Sequence, residues 1–473
     1  MSTVSPLDKD DPGTPLTDID QLVETFATAE KPRSAFRVGT EHEKFGFLRV
    51  PGAEKQPPLP YDGPRGIEDI LKAIMAHPDE QQAPWVPALD DGHIIALFRG
   101  LESITLEPGG QIELSGAPVR TIHETHDETV AHLQLLRKVC LPLDVGFIGM
   151  GFHPTATWDE MPTVPKARYA IMQRYMPTVG SRGLDMMKRT ATVQANYDWE
   201  SEADMAASVR TALAVAPLVA ALFANGPFKE GRPAGVVSER QLVWADTDRA
   251  RSGFPQVMLD EGLTYERYID WVLSVPMYFV RRDGLHHDVA GASFRTFMRE
   301  GLIINGERVH ATLRDWADHL TTIFPEVRVK RVIEVRSADC GPWSRICALP
   351  ALYKGLLYDH QARDEAWTLM AAPTSAELCA LRAEIARVGF RARYRDRSVL
   401  DLAGHLVQIA AAGLNRLDER DANGRTEAAF LTPLEETLAS GETFAERLVK
   451  LYCGPWHGSL APLWEAVEFW PHH

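Results

Sequence analysis

Cysteine is scarce in this chain of 473 residues: Cys140, Cys340, Cys347, Cys379 and Cys453 are the only five, and no two form a CxxC pair. An odd, scattered set in so long a chain excludes a disulfide framework and implies reduced thiols, hence an expected cytoplasmic location. Long apolar runs are missing as well. The longest, Ala212 to Ala224, falls short of the about 20 residues that a membrane span needs. It contains Pro217 and reads as a buried helix, bent or interrupted there. Positive charge is not in excess: 50 Lys and Arg stand against 65 Asp and Glu, a net charge of -15 spread along the chain. Such a surface repels nucleic acid and anionic lipid, so neither is expected as a partner. The first residues, MSTVSPLDKDDPGTP, have neither an apolar signal core nor an Arg-rich transit pattern, and residues 1–17 read as a mobile tail. No GxxxxGK[ST] loop and no HExxH occur, and Gly149-Met150-Gly151 lacks the third glycine of a dinucleotide fingerprint. If nucleotide is bound, its phosphates are not held by a P-loop.

Hydrophobic residues make up 45% of the chain and charged residues 24%, ordinary values for a large globular core. Period-two alternation marks strands between Phe36 and Asn196 and again from Val327 to Arg336. Helical spacing covers Ile67 to Ala76 and Ile122 to Val139. Beyond about Leu349 it dominates, in Ala376 to Arg387, Ser398 to Leu417 and Thr426 to Leu451. Strands grouped apart from helices predict an α+β fold with an antiparallel sheet. The expected division is a catalytic body over 18–360 and a helical C-terminal region over 361–473 packed on it.

The most informative stretch is Ser103 to Gly116. Two alternating runs flank Pro108-Gly109-Gly110, the pattern of a hairpin with a three-residue loop. With Glu107 opposite Gln111, Thr105 falls opposite Glu113. One face then carries Ser103, Thr105, Glu107, Gln111, Glu113 and Ser115, and the other Ile104, Leu106, Ile112 and Leu114. In Val38 to Phe47, Glu41 and Glu43 share a face, with His42 and Lys44 opposite. In Arg189 to Asn196, read as one strand, Thr190, Thr192, Gln194 and Asn196 share a face. In Val327 to Asp339, so do Lys330, Glu334 and Arg336.

Each of these could be the solvated side of an amphipathic strand, and the last an ion ladder on a surface. Exposed faces usually mix lysine with glutamate, however. Here Glu41, Glu43, Glu107 and Glu113 have no lysine among them, and like charges on a sheet repel. A cation between them resolves this. Carboxylates and amides suit Mg²⁺, whereas the lack of cysteine or histidine disfavours zinc.

Taken together these segments resemble the glutamate–cysteine ligases of the plant and proteobacterial type. The resemblance rests on Arg37-Val-Gly-Thr-Glu-His-Glu-Lys-Phe-Gly-Phe47, Leu106-Glu-Pro-Gly-Gly-Gln-Ile-Glu-Leu-Ser-Gly-Ala-Pro118, Met161-Pro-Thr-Val-Pro-Lys-Ala-Arg-Tyr169, Ser238-Glu-Arg240, Trp244-Ala-Asp-Thr-Asp-Arg-Ala-Arg-Ser-Gly253, Val275-Pro-Met-Tyr-Phe279 and His319 to Arg328. It runs from about Arg37 into the C-terminal helices. It implies a glutamine-synthetase-like antiparallel sheet curved around ATP, Mg²⁺, glutamate and cysteine, in a monomer or homodimer. The implied reaction joins the γ-carboxylate of glutamate to the amine of cysteine through a γ-glutamyl phosphate, the first step of glutathione biosynthesis.

By the same resemblance Glu41, Glu43, Glu107, Glu113 and Glu334 are the metal- and phosphate-side carboxylates, with Gln194 among the metal ligands. Arg336, Lys330 and Arg251 are expected at the transferring phosphoryl group. Arg168 and Arg251 would hold the carboxylates of glutamate, with Asn196 nearby. Tyr278, Trp244 and Met150 would wall the cysteine pocket. Read singly, Trp244 and Met150 could as well be core, and Arg168 and Arg251 partners of surface acids. The Met161 to Gly183 segment is the expected lid. The chain departs from plant members at their regulatory cysteine pair: Val289 takes the first position and no cysteine lies in Ile303 to Gly306. Control by that disulfide is therefore not expected. The same scaffold would also serve a ligase using another acceptor amine, a non-catalytic binder of glutamate or nucleotide, or a structural metal-binding protein.

Overall fold

The computed structural model describes residues 13–77 and 83–470. Its centre is the expected antiparallel sheet, nine strands in an α+β fold. In chain order these are β1 (Val38–Leu48), β2 (Val86–Asp90), β3 (His93–Arg99), β4 (Glu102–Leu106), β5 (Ile112–Ser115), β6 (Val145–Ile148), β7 (Thr192–Tyr197), β8 (Val327–Val329) and β9 (Ile333–Asp339). They lie in the order β8-β9-β7-β1-β5-β4-β3-β2, and β6 pairs with the far half of β1. Polar residues alternate along the central strands, yet both faces of β1 are buried. One face packs on a core. The other is covered by α1 (Ala167–Tyr175), α2 (Gly183–Arg189) and the residues around α3 (Glu239–Ala245).

The hairpin β4–β5 has the predicted register: Thr105 pairs with Glu113, and the Glu107 amide donates to the Gln111 carbonyl at 2.9 Å. Its loop explains both glycines. Gly110 has φ +79°, and a Cβ on Gly109 would lie 2.4 Å from the Lys188 carbonyl oxygen. The hairpin tip is thereby pressed against the end of α2.

Several stretches differ from their sequence reading. Arg189 ends helix α2, so β7 starts only at Thr192; burial of Met186 and Met187 outweighs strand alternation there. Val327 to Asp339 is not one strand but the hairpin β8–β9, with Lys330 in its turn. The helix Glu202–Leu222 runs through Pro217 without a break. It is long and apolar enough to cross a membrane, but 83% of its apolar window is buried in the protein, where it supports β9. Of the tail, residues 1–12 lie outside the described residues. Leu16 is buried, its amide donating to the Ala311 carbonyl at 2.9 Å, so that end of the stretch is held in place. The C-terminal helices Ser375–Val388 and Val399–Leu417 form as read, while Thr426 to Leu451 breaks into shorter helices at Gly441.

Candidate active site

The floor of the site is the polar face of four adjoining strands. Antiparallel pairing sets Glu43 directly opposite Glu113, and Glu41 opposite both Ser115 and Gln194. Asn196 pairs with Glu334 one strand further on. Hydrogen bonds fix the carboxylates individually. Asn196 Nδ2 donates to Glu41 at 2.7 Å, the Thr192 amide to Glu43 at 3.1 Å, and Ser115 Oγ to Glu113 at 2.8 Å. Gln111 Nε2 donates to the Thr190 carbonyl at 2.8 Å, tying the hairpin to the link between α2 and β7.

This floor lies in a cleft partly open to solvent. Glu41, Glu43, Glu107, Glu113, Gln194, Arg168, Arg336 and Trp244 line it, all of them singled out in the sequence. Cations line the same cleft: Lys166 and Arg168, with Lys166 bonded to the end of β4, and Arg240, Arg328 and Arg336 on or against β8 and β9. Burial, then repulsion from Glu107 and Glu113, raises the Glu43 carboxyl well above the usual range. Burial, then Glu41 and Glu107, pushes Glu113 up to about 8. Gln111 Oε1 and Asn196 Oδ1 are buried without a hydrogen-bond partner. Crowded carboxylates and the unpartnered Gln111 oxygen make an all-oxygen donor set within the cleft, which fits a hard divalent cation.

Glu334 is different. It is fully buried and does not line the cleft. Arg328 Nη2 meets its two oxygens at 2.7 and 2.9 Å, Lys330 Nζ at 2.6 Å, and Arg336 also pairs with it. Burial alone would raise this carboxyl, but Arg328, Lys330 and Arg336 outweigh it and hold it well below the ordinary range. Its oxygens are occupied by cations, so Glu334 anchors the arginine side of the cleft and is not a metal ligand in this arrangement.

Three expected site residues lie elsewhere. Arg251 is fully buried, with Nε on Asp248 at 2.6 Å, Nη1 on the Thr322 carbonyl at 3.0 Å and Nη2 on the Pro276 carbonyl at 2.7 Å. Its guanidinium is spent within the protein. Tyr278 stacks under Arg251 at 3.8 Å and is itself buried. Met150 is a core residue, with no exposure. None of the three lines the cleft. Lys330 and Asn196 sit behind the lining residues, Lys330 paired with the buried Glu334 and Asn196 bonded to Glu41. The expected lid is an anchored wall: Lys166 Nζ donates to the Leu106 carbonyl at 2.7 Å, and the Val164 amide to Pro108 at 3.3 Å.

Arg328, Arg240 and Lys166 were missed. The parity that grouped Lys330 with Glu334 also includes Arg328, so that signal was available. Arg240 and Lys166 lie within the segments of resemblance, but nothing in their local pattern separates a cleft-lining cation from a surface one.

The family model for glutamate–cysteine ligase family 2 matches residues 37–466. The chain belongs to this family. Among relatives of family 2, rice (Oryza sativa subsp. japonica) chloroplastic glutamate–cysteine ligase B is 44% identical over 455 residues, 96% of this chain and 88% of the relative. The chloroplastic glutamate–cysteine ligase of Arabidopsis thaliana is 42% identical over 456 residues, 96% of this chain and 83% of the relative. Both relatives are chloroplastic proteins, which overturns the cytoplasmic location expected from the reduced cysteines. A crystal structure of glutamate–cysteine ligase from Francisella tularensis in complex with AMP aligns with TM-score 0.54 at 10% identity, over 91% of this chain and 87% of that one. At that identity the likeness speaks for the fold. All five cysteines are unpaired in this structure.

Proposed function

We infer that the protein joins the γ-carboxylate of L-glutamate to the amine of L-cysteine at the expense of ATP, the first step of glutathione biosynthesis. The observation that carries this is one cleft lined by four carboxylates together with Arg168, Arg240, Arg328 and Arg336, in a chain of the glutamate–cysteine ligase family.

A carboxylate and an amine do not condense in water, because hydroxide leaves poorly. The γ-carboxylate of glutamate attacks the γ-phosphorus of ATP and ADP departs. The amine of cysteine, neutral when it reacts, then attacks the acyl carbon, and phosphate leaves. Phosphoryl transfer of this kind asks the protein for position and compensating charge, with no covalent nucleophile. Glu41, Glu43, Glu107 and Glu113 would hold Mg²⁺; Gln194, expected among the ligands, stands beside them with its amide oxygen on Arg336 at 2.8 Å. Bound there, magnesium would supply charge neutralisation for the phosphates. Arg336 and Arg328 face the transferring phosphoryl group, held in place by Glu334. Trp244, with Phe324 edge-on at 5.9 Å, offers the cleft an aromatic surface beside these arginines. At the other side Arg168 and Lys166 lie where substrate α-carboxylates can pair with them. Burial, then the charge of Arg168, brings Lys166 down to about 7.

The test is ADP release from purified protein with Mg²⁺-ATP and L-glutamate, with and without L-cysteine. Cysteine-dependent release with γ-glutamylcysteine as product is the expected result. Release with another amine alone would keep the mechanism and change the acceptor. No release with any amine would overturn the proposal.

A further inference from the structure

Strand β9 is irregular where it matters. Its register on β7 shifts between Val335, opposite Ala195, and Ala338, opposite Val193. Arg336 and Ser337 thus share the space of the single residue Gln194, which is a β-bulge. An extra residue in a strand leaves main-chain groups without ladder partners, and buried carbonyls need a donor. Here helix α3 supplies it. Arg240 Nη2 donates to the Arg336 carbonyl at 2.9 Å. Gln241 Nε2 donates to the Ser337 carbonyl at 2.6 Å, with Arg240 Nη1 at 3.4 Å from the same oxygen. Both side chains are buried, Arg240 at 3% and Gln241 at 1% exposure. The helix is itself fixed: Ser238 Oγ caps it by accepting from the Gln241 amide at 3.3 Å.

We propose that Arg240 and Gln241 are positioning residues for the ligation reaction: they hold the two carbonyls freed by the bulge and so fix the direction in which Arg336 enters the cleft. Arg336 is aimed from two sides. Its backbone is set by α3, and its Nη1 is steered by the side-chain Oε1 of Gln194 at 2.8 Å. In a regular strand successive carbonyls alternate between the two neighbouring strands, so those of residues 336 and 337 would point to opposite sides instead of both toward α3, and the guanidinium would leave at a different angle. A cation at a phosphoryl-transfer site loses its effect when displaced by about 1 Å. The inference rests on the reading of Arg336 as a phosphoryl-facing residue.

Gln241 is the clean probe, since it does not line the cleft whereas Arg240 does. Gln241→Met keeps length and volume and removes the donor. In the ADP-release assay its kcat is expected to fall about tenfold or more, with the KM for cysteine within about twofold. Combined with Arg336→Ala, the same change is expected to cost nothing further, because the residue it aims is gone. Gln241→Asn, which keeps the amide but shortens its reach, serves the same cycle if the methionine variant does not fold. Equal losses in both backgrounds, or full activity of the Gln241 variant beside an impaired Arg336→Ala, would overturn the inference and leave the reading of Arg336 intact. A fully active Arg336→Ala would overturn that reading, and the inference with it.

Discussion

Arg328 and Glu334 face each other across β8 and β9 at paired positions, the guanidinium meeting both carboxylate oxygens at 2.7 and 2.9 Å. With Lys330 and Arg336 on the same carboxylate, one buried anion organises three cations. Glu334→Gln keeps the shape and strands those charges. Removing one partner of a buried ion cluster costs about 3–5 kcal/mol. Urea unfolding is expected to show a loss of that size, together with sharply reduced turnover. A variant as stable as the parent would show that Glu334 is not the anchor.

Glu113→Gln and Glu107→Gln are expected to abolish ADP release while leaving the fold intact, judged by circular dichroism. Metal-free Glu113→Gln should melt no lower than the parent, because the carboxylate it removes is repelled by Glu41 and Glu107. Near-normal turnover in either variant would sink the assignment of these residues to metal.

Stability should depend on pH in a way that metal reverses. Glu113 is raised from 4.5 to about 8, so the folded state holds its proton more tightly than the unfolded chain. That contribution is complete below pH 4.5 and is lost as pH rises through 8. Chelated protein should therefore lose melting temperature between pH 5 and pH 8. Added Mg²⁺ should raise it far more at pH 8, where the carboxylates are ionised. An equal metal shift at both ends of that range would count against a carboxylate site.

Arg251 and Arg168 should separate cleanly. Arg251→Met leaves Asp248 buried without its partner and is expected to destabilise by roughly 3 kcal/mol or more, with substrate KM little changed in the folded fraction. Arg168→Met, at the cleft wall, should raise the KM for glutamate with little effect on melting. A large KM effect in the Arg251 variant alone would return that residue to the site.

Much of the floor was legible in advance because a strand alternates with period two, and the Glu107–Gln111 hairpin fixed its own register. Once Glu41, Glu43, Glu107 and Glu113 shared unrelieved polar faces, their convergence followed from pairing. What alternation cannot reveal is where a long side chain ends. Arg251 and Arg168 read alike, yet one guanidinium is consumed by Asp248, Thr322 and Pro276 and the other stands at the cleft. Met150 and Tyr278 were misplaced for the same reason: packing between distant segments decides whether an apolar residue becomes wall or core. The turn at Lys330 and the bulge at Arg336 each break a pattern that, read as a single strand, seemed continuous.

The approach of Gly109 to the Lys188 carbonyl has a further consequence. At 2.4 Å even a methyl group would force apart two backbones, the hairpin tip next to Glu107 and the helix end leading to Thr190 and Thr192. Descent with variation can therefore exchange many side chains around this cleft, but at position 109 it meets a limit set by backbone shape alone. That limit would hold whatever amine the pocket came to accept.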